Sequence, residues 1–163
     1  MKQLHHPNII NYISCWFNKS KKEFVIITEI VCGGSLRKHL TKLQNPRLRL
    51  IKHWIKEILK GLKYLHIEVN PPIIHRDIKC ENIFVDTNNG TIKIGDLGLS
   101  TTYKETEGYM APEVIEGKYS VLADIYSLGM CILEIASLEK PYKEYEDNIM
   151  LIYECVCKLS INL

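Results

Sequence analysis

The stretch "PPIIHRDIKCENIFVDTNNGTIKIGDLGLS", Pro71 to Ser100, decides how the chain is read. Two short apolar runs, Ile83 to Val85 and Ile92 to Ile94, flank "DTNNGT", and an Asn-Gly pair in such a link is a hairpin signal. Asn82 stands just before the first run and Asp96 just after the second. Antiparallel pairing therefore brings both to the open end of one hairpin. A hard divalent cation takes a few oxygen ligands and fills its other positions with water and phosphates, which Asn82 and Asp96 suit. Asp77, in the loop ahead of Asn82, is placed to accept a proton from an attacking hydroxyl, and Lys79 to neutralise a phosphate in transfer. This describes a metal and phosphate site; a polar turn without chemistry is the alternative, since a lone Asp at a strand end is usually a turn former.

Outward from this stretch, "HHPN" at His5 to Asn8 predicts a turn, because the residue before proline is pushed out of the helical region. "IINYISCWF" (Ile9 to Phe17) and "EFVIIT" (Glu23 to Thr28) predict two strands joined by the polar link "NKSKK". Beyond "VCGGS" the period changes. Leu50, Ile51, Trp54, Ile55, Ile58, Leu59, Leu62 and Leu65 recur every three or four residues with lysines between them, an amphipathic helix ending near His66. Gly61 within it points to a closely packed neighbour. "DIYSLGMCILEIASL", Asp124 to Leu138, is apolar nearly all round and predicts a helix buried on every side.

The 163 residues suffice for one domain, with 46% hydrophobic and 25% charged residues, an ordinary globular balance. A net charge of +2 is far from the concentrated basic surface of a nucleic-acid binder, so nucleic acid is not an expected partner. The six cysteines are scattered with no secretory leader before them, which suits reduced thiols in a cytoplasmic chain. Cys155 and Cys157 have no second Cys or His pair at zinc-site spacing. No apolar run approaches the roughly 20 residues of a membrane-spanning helix.

"HRDIKCEN", "DLG", "APE" and "DIYSLG", in that order, resemble the catalytic half of a eukaryotic protein kinase. "PPIIHRDIKCENIF", "IKIGDLGLS", "HPNI…SCW" and "GMCILEIA…PY" are similar to the with-no-lysine (WNK) serine/threonine kinase family. The resemblance implies an α+β protein-kinase-like fold, mostly the helical C-terminal lobe with the last strands of the N-terminal lobe. Residues 1–163 are then a partial kinase domain, with 1–31 the strands and hinge and 32–163 an incomplete C-terminal lobe.

The resemblance also assigns roles. Asp77 is the catalytic base, Lys79 contacts the transferred phosphate, and Asn82 and Asp96 hold Mg²⁺. ATP is bound by Glu29, Val31, Ser35, Phe84 and Asp96, with Thr28 as gatekeeper, and the partner is a protein substrate. Thr106 and Glu113 belong to the substrate-binding and activation segment, where Ser100, Thr101 and Thr102 are phosphorylation candidates. His75 and Leu97 match the hydrophobic spine, with Asp124 its anchor. Arg76 pairs with an activation-segment phosphate or, equally, with a nearby carboxylate. Leu97 and Leu99 match a chloride site, with Ile26 and Tyr12 in place of the expected leucine and phenylalanine; plain core packing is the alternative.

The pattern departs from the family at both ends. The Gly-rich loop, the strand lysine and the arginine expected to pair with a buried Glu113 are not in the 163 residues. Two functions follow from this. One is a kinase catalytic region that transfers the ATP γ-phosphate to protein Ser/Thr hydroxyls; the other is a non-catalytic pseudokinase or scaffold. For these 163 residues the expectation is weak or absent turnover, because half the phosphate contacts are missing.

Overall fold

The computed structural model describes residues 4–97, 107–115, 117–145 and 148–161. Leu99, Ser100, Thr101, Thr102 and Thr106 lie outside them. The opening strands are β1 (Tyr12–Asn18) and β2 (Glu23–Thr28), an antiparallel pair in the register Asn18 with Glu23 and Cys15 with Ile26. Asn18 closes their link, its side-chain oxygen accepting from the backbone N–H of Ser20 and Lys21. Two helices follow: a short α1 (Leu36–Leu40), capped by the Ser35 hydroxyl, and α2 (Leu48–Lys63), which continues into a π-helical turn at Tyr64–Glu68. The predicted helix is thus present, with its last turn widened.

The hairpin consists of β3 (Ile83–Val85) and β4 (Ile92–Ile94), with Ile83 opposite Ile94 as the sequence pattern predicts. It is not left with open edges. Ile9 and Ile10, expected as the start of the first strand, lie with Asn8 along β4 instead: Ile94 N–H donates to Asn8 O and Ile10 N–H to Ile94 O. On the other edge Val85 N–H donates to Gly34 O, and Ser35 bridges Phe84. Each short strand therefore gains a second row of backbone bonds, which satisfies its buried polar groups. β1 accordingly begins at Tyr12, three residues later than its apolar run.

The remaining elements are a 3₁₀ turn at Glu107–Tyr109, α3 (Pro112–Ile115), α4 (Val121–Ser137), a second 3₁₀ turn at Lys143–Tyr145 and α5 (Ile149–Ile161). The core joins Trp54, Ile58 and Leu62 of α2 to Ile83, Ile92 and Ile94 of the hairpin and to Leu128, Cys131 and Ile135 of α4. Gly61 lets α2 approach closely, since a Cβ there would stand 2.8 Å from Ile94 Cδ1 and 3.0 Å from Asn8 O.

Two expectations need correction. α4 is not buried on every side: Ala123, Asp124, Leu128, Cys131, Glu134 and Ile135 are buried, whereas Leu122 and Leu133 are 67% and 59% exposed. Its apolar residues run all round, but among the described residues other elements pack on one face. Glu113 is half-buried in α3 and is not an enclosed orphan carboxylate, so the large penalty of an unpaired buried charge does not arise there.

Among the described glycines Gly33 has the least room, with Val85 O only 2.0 Å from where a Cβ would be. Gly33→Ala must push the hairpin away from the 33–35 segment, and it is expected to cost at least about 2 kcal/mol in urea denaturation. A near-neutral result would show that the two segments do not meet this closely.

Candidate active site

Asp124 positions the loop that carries the reactive groups. Its buried carboxylate accepts the backbone N–H of His75 (2.8 Å) and of Arg76 (2.9 Å), and Nε2 of His66 lies 2.7 Å from the same group. Arg76 is held at φ 70°, a left-handed conformation that costs a non-glycine residue about 1–3 kcal/mol and persists only where its surroundings enforce it. Charge-assisted bonds to two successive N–H groups provide that enforcement. The imidazole of His75 is enclosed: Nε2–H donates to Gly95 O at 2.7 Å, and Nδ1 faces the N–H of Asp77 at 3.3 Å. A ring that donates from one nitrogen and accepts at the other is neutral. Burial, the largest influence, holds its pKa below the usual 6.5, against the raising effect of the Gly95 carbonyl and nearby carboxylates.

The loop then delivers three side chains to one point. Asp77, Lys79 and Asn82 are each about 95% buried, at 5%, 4% and 5% exposure. Lys79 Nζ lies 3.3 Å from Asp77 Oδ1, and Asn82 Nδ2 donates to Asp77 Oδ2 at 2.6 Å and to Asp77 O at 2.9 Å. These bonds fix the Asp77 carboxylate in orientation. They also assign the Asn82 amide: with nitrogen on Asp77, the oxygen is the atom left to accept from or ligate another group. Gly95 N–H donates to Asn82 O at 2.8 Å, so Asp96 follows directly at the open end of the hairpin, exposed and at φ 55°.

A carbonyl oxygen and an exposed carboxylate at one rim fit a magnesium ion, which needs few protein ligands when phosphates and water supply the rest. Among the described residues no group of three or more His, Cys, Asp and Glu side chains is arranged to hold a metal ion by itself.

The other predicted site residues are spread around this rim. The Glu29 carboxylate accepts from Asn11 N–H (2.7 Å) and Lys93 Nζ (2.8 Å), tying the segment after β2 to β4, and its carbonyl accepts from the Thr28 hydroxyl. Val31 O accepts from Gly34 N–H in a turn. Ser35 caps α1 and bridges Phe84, so these two meet. Leu97 packs against the core. Among the described residues Arg76 forms no ion pair with a carboxylate; its guanidinium lies 5.0 Å over the ring of Tyr119, a cation–π contact.

Two networks escaped the sequence reading. Arg37 of α1 pairs with Glu134 of α4 and with Glu81 (2.9 Å), while Tyr109 donates to Glu134 and accepts from Arg37. Glu81 lies between Lys79 and Asn82, so the cluster clamps the loop of residues 75–82 to α1 and α4. No short-range spacing connects residues so far apart in the chain. Burial, followed by the Glu134 carboxylate, pushes the Tyr109 phenol up, so it remains a donor. In the second network Asn8 Nδ2 donates to Glu57 Oε2 and to Ile92 O, each at 2.8 Å, and Lys60 bonds Glu57 Oε1 at 2.6 Å. Glu57 was detectable as a carboxylate inside the buried stripe between Trp54 and Ile58. Burial raises its pKa, but hydrogen bonds from Lys60 and Asn8 outweigh this and leave it below the ordinary 4.5.

The chain belongs to the protein kinase domain family, whose model matches residues 1–161. It is 47% identical over 159 residues to the serine/threonine-protein kinase WNK8 of Arabidopsis thaliana, an alignment that covers 93% of this chain and 28% of that one. The chain thus spans little more than a quarter of that relative's length. No described helix is long and apolar enough to cross a membrane.

Arg37→Ala strands the Glu134 carboxylate in the core and is expected to cost about 3–5 kcal/mol of stability by chemical denaturation, whereas the double change Arg37→Met, Glu134→Met removes both charges and costs far less. Equal losses in both variants would contradict the clamp. Acidification supplies a second check. The folded pKa values of His75 and of His6, stacked on Tyr64, are depressed by burial, and that of Glu57 is depressed by its donors. Their contributions are present at neutral pH and are lost as the unfolded chain takes up protons preferentially. Burial raises the Glu134 pKa and so contributes in the opposite sense; the check is therefore the variant, and the melting temperature of Glu57→Gln should fall less than that of the parent below pH 4.5.

Proposed function

We propose that the chain is the catalytic region of a serine/threonine kinase that transfers the γ-phosphate of ATP to hydroxyls of a protein substrate. The observation that carries this is the enclosed trio of Asp77, Lys79 and Asn82, with Asp96 beside it at the mouth of the hairpin. Asp77 receives the proton of the attacking serine or threonine hydroxyl. Asn82 keeps that carboxylate aimed, and Lys79 meets the negative charge of the phosphoryl group in transfer. Asn82 Oδ1 and the Asp96 carboxylate would hold Mg²⁺, which when bound neutralises the ATP phosphates.

Family membership and likeness to a with-no-lysine kinase support the reading, and so does lysine two residues after the base. The backbone at Glu29 and Val31, with Ser35 and Phe84 on the adjoining bridge, forms the side on which adenine would rest. Leu97, Ile26 and Tyr12, three of the four positions that the resemblance relates to a chloride site, are half-buried. Six cysteines, none of them disulfide-bonded, suit a reducing, cytoplasmic compartment.

Ligand binding to the native state must raise its melting temperature. ATP with Mg²⁺ is therefore expected to stabilise the chain more than ATP alone, and Asp96→Asn to abolish the metal-dependent part. In phosphate transfer to a basic test protein by a chain that includes the flanking sequence, Asp77→Asn should lower kcat by about 10²–10⁴-fold while preserving the Mg²⁺-dependent shift. A Mg²⁺-dependent shift without any transfer, in a chain that also includes the flanking sequence, would favour the non-catalytic scaffold instead.

A further inference from the structure

The site described above lies at the hairpin mouth, whereas the charge of the molecule is concentrated elsewhere. Residues 47–63 carry six Lys and Arg against one Glu, a net +5, which leaves fifteen cations against eighteen carboxylates, a net −3, for the rest of the chain. The single carboxylate, Glu57, points into the protein and engages Asn8 and Lys60. Lys63 is paired with Glu68 at 3.2 Å. Arg47, Arg49, Lys52 and Lys56 are exposed, and among the described residues none of them forms an ion pair.

The cations border apolar recesses. At the N-terminal end of α2, Leu43, Pro46 and Leu50 line a groove of about 600 Å³ with Arg47, Arg49 and His53 on its rim. His53 bonds Gly90 O at 2.9 Å, which joins the groove wall to the turn between β3 and β4. Further along the helix a recess of about 370 Å³ has Ile55 and Leu59 as its floor and lysines on both sides. Leu59 is 43% exposed. A solvated helix face needs charge but does not need leucine-class floors between its lysines.

We infer that this face of α2 is a docking surface for an acidic peptide segment with bulky aliphatic side chains. Carboxylates of such a segment meet the unpaired Arg47, Arg49, Lys52 and Lys56, and its leucine-class residues enter the two recesses. The shape and composition favour a peptide over a lipid surface. The strongly apolar stripe of α2, Trp54, Ile58 and Leu62, is committed to the core, so the helix cannot insert an apolar face into a bilayer. A flat anionic surface would also leave the groove at Leu43 and Leu50 unfilled.

The test is fluorescence polarisation of the 163-residue chain with a labelled peptide of Glu-Glu-Leu repeats, alongside Gln-Gln-Leu and Glu-Glu-Ala repeats. Saturable binding of the first is expected, weakened by salt, and at least about tenfold weaker for both control peptides. Arg47→Glu with Arg49→Glu, and separately Lys52→Glu with Lys56→Glu, should each weaken it by about tenfold or more with the melting temperature retained. Arg49→Gln and Lys56→Gln provide the same comparison if the reversals impair folding. The inference is overturned if Glu-Glu-Leu does not bind, if Gln-Gln-Leu binds equally, or if folded charge variants bind like the parent. It is overturned equally if phosphatidylserine vesicles bind where the peptide does not, or if sedimentation shows the face to be occupied by a second copy that the peptide fails to displace.

Discussion

The Asp124 carboxylate is the constraint on which the candidate site depends. It is buried in α4, yet both oxygens are used by groups far from it in sequence: the N–H of His75, the N–H of Arg76 and the imidazole of His66. These bonds hold Arg76 in a conformation it would not otherwise keep. The next residue is Asp77. The direction of the proposed base is therefore set from beneath, by a helix that contributes no reacting atom.

A second layer of support enters from the sides. His75 links the same loop to Gly95, at the open end of the hairpin, so the loop bearing Asp77 and the strand end preceding Asp96 share one neutral imidazole. Arg37, Glu134, Tyr109 and Glu81 close the opposite side. The burial of ionised groups there costs desolvation energy, and such a cluster is tolerated because each charge has partners and because removing one leaves the others exposed to that cost. The rigidity of the three enclosed side chains comes from this surrounding polar framework as much as from apolar packing.

The hairpin, the long amphipathic helix and the grouping of Asp77, Lys79, Asn82 and Asp96 were legible along the chain, because all are local patterns. Period-two and period-3.6 repeats and a turn dipeptide act over a few residues. Short elements were less legible. α1 and α3 have only five and four residues, too few for a repeat to register, and α5 carries apolar residues without a clear stripe. The strand expected from Ile9 was displaced to Tyr12 because Asn8 to Ile10 found a better partner in β4, a competition that propensity alone does not contain.

What the amino-acid order determined by itself is the identity and the near spacing of the reactive groups, along with the kinase-like motifs that carry them. What only the tertiary structure decided is which of them are enclosed and by what: Asp77 between Lys79 and Asn82, Asp96 at an exposed rim, Arg76 over the ring of Tyr119, and α4 with Leu122 and Leu133 left exposed. The physical reason is range. Backbone preference and side-chain periodicity are properties of neighbouring residues, whereas burial, ion pairing and the choice of a hydrogen-bond partner depend on groups that become neighbours only when the chain is folded.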